Sequence, residues 1–105
     1  MELISAPYKM IIKEDAQEDI DEYIDTIIYT YDAPMTAKKH RDALFDVLKK
    51  IKKYPEIYPI RSTSSLQQYG PNVRRANFKK MAIIYTLNGS TIYVHRIVLA
   101  SMITD

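Results

Sequence analysis

The sequence predicts an α+β fold: an N-terminal strand, an antiparallel helical hairpin, then a three-stranded antiparallel meander, forming a small sheet with its helices on one face. Three observations predict it. A short alternating segment opens the chain at Tyr8–Lys13. Two segments with helix-period apolar spacing follow. After them, apolar strand-like runs are separated by Asn88-Gly89-Ser90, a composition that favours a tight hairpin turn.

In the first segment, Tyr8, Met10 and Ile12 share one face, and Lys9, Ile11 and Lys13 the other. Asp15 is expected to cap the first helix, with Glu18 completing a loose capping box. That helix runs from about Ala16 to Tyr31, where Ala16, Ile20, Tyr23, Ile24, Ile27, Ile28 and Tyr31 make one apolar stripe. Glu18, Asp19, Asp21, Glu22 and Asp25 cover its remaining surface. Such an acidic run reads as a solvated face, or as a counter-surface for a basic partner.

Asp32 is the expected cap of the second helix, and Pro34 suits its first turn. This helix runs to about Lys53 and buries Ala37, His40, Leu44, Val47, Leu48, Ile51 and Tyr54. The short connection forces the two helices into an antiparallel hairpin. Pro55 and Pro59 end the helical region. The polar stretch from Arg61 to Pro71 is the longest irregular segment and is expected to be a mobile or functional loop. Val73–Phe78 and Met81–Leu87 then pair around Asn77 or Lys79-Lys80, and Thr91–Val98 is the last strand.

At 105 residues, with 47% hydrophobic residues, the whole chain (1–105) is expected to form one domain with one core. The absence of cysteine excludes disulfides and thiolate metal sites. Met1–Ala6 lacks a basic start and an apolar run, so no signal peptide or membrane span is expected, and the location is expected to be cytoplasmic. The net charge of +2 conceals an asymmetry. Residues 1–35 carry two basic and nine acidic groups, whereas residues 36–105 carry thirteen basic and four acidic ones. The basic part is suited to a polyanion, although Lys49-Lys50 and Lys52-Lys53 by themselves read as solvated helix surface.

His40 and His95 are not at metal-ligand spacing, and two glycines cannot make a glycine-rich phosphate loop. No metal or other cofactor is expected. The basic set of Arg61, Arg74, Arg75, Lys79, Lys80 and Arg96 offers phosphate-binding chemistry, with Arg74 and Arg75 on opposite strand faces. Tyr69, Phe78, Tyr85 and Tyr93 offer rings for base stacking; core packing is the plainer role for Tyr85 and Tyr93. His95 is a candidate general base, and His40 is expected to be packed on its helix.

The order of these pieces resembles the RelE/ParE superfamily of bacterial type II toxins, over about Tyr8 to Met102. The resemblance rests on the strand Tyr8–Ile12, on Ala16 with Asp19-Ile20, and on the helix from Leu44-Phe45-Asp46-Val47-Leu48 to Pro55. It continues in Arg74-Arg75 followed by the apolar run to Ile83-Ile84-Tyr85, and in Arg96-Ile97-Val98. It implies a growth-inhibiting, plasmid-stabilising toxin neutralised by a cognate antitoxin, within a toxin–antitoxin hetero-oligomer.

Three activities fall within that resemblance. One is a ParE-like poison of DNA gyrase. Another is a RelE-like, metal-independent endoribonuclease that cuts mRNA on the ribosome. The third is an inactive toxin fold that only binds its antitoxin. The nuclease reading assigns catalysis to Arg75, Arg61, His95 and Arg96, and RNA or partner binding to Arg74, Lys79, Lys80 and Tyr85. Against it, Leu99 stands where the nucleases usually carry histidine, and no arginine follows. Ser101-Met102 resembles the ParE-type ending, which favours the gyrase reading, although Ile103 follows where an aspartate is expected.

Overall fold

The computed structural model describes residues 8–103. In chain order it contains β1 (Lys9–Ile12), α1 (Glu14–Asp25), a π-helical turn (Thr26–Thr30), α2 (Pro34–Lys53), a 3-10 segment (Ser64–Tyr69), β2 (Arg74–Phe78), β3 (Met81–Asn88), β4 (Thr91–Leu99) and a closing 3-10 turn (Ala100–Met102). β2, β3 and β4 form the expected antiparallel meander. The sheet as a whole is mixed, in the order β1-β4-β3-β2, because β1 pairs parallel to β4. Parallel neighbours need a long crossover, and the helical hairpin begins the one between these strands.

The helices cover one face of the sheet. Ala16 and Ile20 of α1 and Leu44, Leu48 and Ile51 of α2 pack on Ala76, Phe78, Met81, Ile83, Tyr85, Ile92, Val94 and Ile97. Tyr8, Met10 and Ile12 join them from the β1 side, as alternation predicts. The opposite face is not bare. Leu66, Val73, Ala82 and Ile84 form a second cluster, flanked by Tyr69, Ala100 and Ile103. The expected mobile loop therefore contains a packed turn, because Leu66 supplies an apolar anchor within a polar segment. β3, covered on both faces, is buried from Met81 to Thr86.

Several local expectations are corrected. Lys13 occupies the cap position of α1 without a side-chain cap, and Asp15 lies in the first turn. Ala33 takes the cap position of α2, while Asp32 adopts a left-handed conformation with φ of 49°. The π-turn places an extra residue in the last turn of the first helix, which carries Tyr31 off the apolar stripe to 71% exposure. Tyr54 leaves helical geometry after Lys53 and is likewise exposed.

A β-bulge shapes β4. Ile84 pairs with Arg96, but Tyr85 pairs with Val94, so His95 is the extra residue. The bulge lets Val94 and Ile97, three apart, both enter the helix-side core. Arg96 reaches α1, where its Nε and Nη2 donate to Asp19 Oδ2 and Oδ1 at 2.7 and 3.0 Å. The Ile97 backbone N–H also donates to Asp19 Oδ2, at 2.9 Å. A carboxylate with this partner set clamps helix to strand. Asp19→Asn should destabilise the fold by about 1.5–3 kcal/mol. Glu18→Gln, on the exposed side of α1, should stay within about 0.5 kcal/mol. Urea denaturation of the two variants checks the contrast.

Candidate functional site

The basic set does not assemble into one surface. Arg74 lies on the helix-side face, where its Nη1 donates to the Tyr58 carbonyl at 2.6 Å, holding the segment after α2. Arg75 lies on the opposite face, and its Nε donates to Asn77 Oδ1 at 3.0 Å. The Arg61 backbone pairs with Val73 beside β2, and its Nε is buried without a hydrogen-bond partner among the described residues. Arg96 is drawn to Asp19, which raises its already high pKa further, chiefly through their hydrogen bond. Lys79 and Lys80 form the turn between β2 and β3, with Lys79 at φ of 53°.

Two other predicted residues have specific settings. Tyr85 is fully buried, and its hydroxyl donates to the Pro55 carbonyl at 2.7 Å. Burial raises its pKa. This corrects its expected binding role: the ring is core, as its place on an apolar run allows. His95 lies on the second face, with Nε2 2.9 Å from Thr86 Oγ1 and its ring 5.5 Å from Tyr69 and 6.5 Å from Tyr93. Burial lowers its pKa below the ordinary 6.5, and the charge of Lys13 lowers it further. The imidazole is therefore neutral at pH 7. It borders a cleft of about 440 Å³ with Lys13, Glu14, Asp15, Gln68 and Tyr69. That lining carries both signs of charge, unlike a basic nucleic-acid channel.

The residues the structure does bring together are Lys79, Lys80 and Arg96, which line a groove of about 850 Å³. The groove lies between α1 with its π-turn and the end of the sheet. Tyr23, Ile27, Met81 and Ile97 supply apolar lining. The Tyr23 hydroxyl and His40 Nδ1 share a hydrogen bond across the helical hairpin. Burial raises the Tyr23 pKa. Around the groove, Tyr31, Leu99 and Met102 are 71%, 46% and 72% exposed. Clustered exposure of large apolar side chains marks a contact surface. Sequence reasoning singled out neither Glu22 nor Tyr31 for this place. The available signal was a stripe residue close to the helix break at Asp32-Ala33-Pro34.

A small mixed sheet backed by a helical hairpin, with an open apolar groove beside them, defines a compact α+β domain. The family model for the ParE toxin of the type II toxin–antitoxin system parDE matches residues 10–104, and the chain belongs to that family. Among solved structures, the chromosomal ParDE TA system from P. aeruginosa is similar in fold, with a TM-score of 0.72 and 18% identity over 90% of this chain and 98% of that one. No curated protein matches the chain significantly. Among the described residues, no cluster of three or more His, Asp or Glu is placed to hold a metal, and no helix is long and apolar enough to cross a membrane.

The lowered pKa of His95 has a consequence for stability. As pH falls below 6.5, the unfolded chain binds a proton at this position before the folded chain does. Its contribution is present above the unfolded pKa and is lost as pH falls through the lower, folded one. Urea denaturation between about pH 7.5 and 5, a range that brackets the ordinary histidine value, should show stability falling with acid, with a shallower slope in His95→Asn.

Proposed function

We propose that this protein is the toxin of a type II toxin–antitoxin pair, that it inhibits growth by poisoning DNA gyrase, and that an antitoxin segment neutralises it by occupying the groove. Membership of the ParE family supports the first part. The observation that carries the choice of target is the engagement of the nuclease set: Arg96, in one row across the sheet with Ile84 and Arg75, has its guanidinium tied to Asp19, and His95 Nε2 lies against Thr86 Oγ1. Cleavage of RNA needs a base and transition-state cations at one phosphate. Leu99, at the position where the nuclease relatives carry histidine, instead lies on the groove with its side chain exposed.

The groove suits the antitoxin because its apolar lining is flanked by Lys79 and Lys80, which attract carboxylates. Binding is therefore expected to weaken between low and high salt. Residues 1–105 act as one toxin domain, in the cytoplasm.

Induced expression without antitoxin tests the reading. Growth should stop while total mRNA remains intact, and cleaved DNA should be trapped with gyrase. Fragmented mRNA, with cleavage lost in Arg75→Ala, would instead establish ribosome-dependent nuclease activity. Normal growth with antitoxin binding retained would establish an inactive toxin fold.

A further inference from the structure

The two sides of the groove differ in charge. On the helix side, Asp19 is neutralised by Arg96, which leaves Glu22 as the exposed carboxylate in the lining. On the sheet side stand Lys79 and Lys80, both exposed. The turn that presents them is anchored: the Ala100 N–H donates to the Lys80 carbonyl at 2.8 Å, and Lys79 Nζ lies 5.9 Å from the centre of the Phe78 ring. Between the sides the surface is apolar, with Tyr23, Ile27, Met81 and Ile97. β1 covers the outer edge of β4 only from Thr91 to Val94; beyond it the Ile97 N–H is taken by Asp19, and the groove presents side chains on both of its sides.

From this arrangement we infer that the groove selects an amphipathic helix with an apolar stripe, carboxylates along one flank and cations along the other. The inference rests on the antitoxin reading and adds the chemistry and direction of the bound segment. The apolar stripe packs on the floor, the acidic flank meets Lys79 and Lys80, and the basic flank meets Glu22. Reversing such a helix end for end exchanges its flanks and places like charges together. The groove thus fixes the direction of the helix as well as its composition, and Lys79, Lys80 and Glu22 discriminate between partner segments with equal apolar stripes.

Three synthetic helical peptides of about 18 residues with the same leucine stripe test this against the full chain at low ionic strength. One carries Glu on one flank and Lys on the other, the second Glu on both, and the third Lys on both. The opposed-flank peptide should bind about tenfold more tightly than either uniform one, the sum of a few exposed charge pairs. In Glu22→Lys the all-Glu peptide should become the tightest binder, and in Lys79→Glu/Lys80→Glu the all-Lys peptide should. Equal affinities, or a ranking unchanged in both variants, would overturn the charge selection while leaving an apolar antitoxin groove intact. Binding by none of the peptides would overturn both the inference and the groove reading on which it rests.

Discussion

Asp19 reaches from α1 to β4 and accepts three hydrogen bonds there, two from the Arg96 guanidinium and one from the Ile97 backbone. Each partner depends on the bulge at His95. In an unbroken strand, Val94 and Ile97 would face opposite ways, and one of them would leave the core. The bulge restores Ile97 to the helix side and sets Arg96 opposite Ile84, from where its guanidinium reaches Asp19. Without the carboxylate, a half-buried guanidinium would face α1 uncompensated, which costs more than the pair itself contributes. The clamp thus fixes the position of the first helix over the sheet, and with it the width of the groove.

The same clamp engages one cation of the basic set. It ties the Arg96 guanidinium to Asp19, although the register sets Arg96 in one row with Ile84 and Arg75. The second face keeps a neutral imidazole beside Tyr69, but that face is packed by Leu66 and closed by Ile103. On the helix side the floor is apolar, and its charges lie at the margins.

The fold was legible because its signals are local and repeated. Leu44, Leu48 and Ile51 recur at helical spacing, the Asn88-Gly89-Ser90 turn is marked by composition, and the alternation of Tyr8, Met10 and Ile12 specifies their common face. Features set by a single residue's insertion were not legible. The π-turn after Asp25 and the bulge at His95 each shift the side chains beyond them, exposing Tyr31 and aiming Arg96. The basic set illustrates the same limit. Alternation separates Arg74 from Arg75, but nothing in the sequence says that the carbonyls of the segment after α2 will bind one of them. Leu66 was overlooked because one apolar residue among serines and glutamines carries no periodic signal.

The parallel pairing of β1 with β4 joins segments roughly eighty residues apart in the chain. Contacts of such long range form late, because the intervening chain must be ordered before they can be made. During synthesis, β1 and the helices emerge before Val94 and Ile97, the core residues against which they pack. The nascent protein therefore has a core that cannot close and a groove whose sheet side does not yet exist. The groove becomes a finished surface only after β4 is in place, so its recognition is coupled in time to the arrival of that strand.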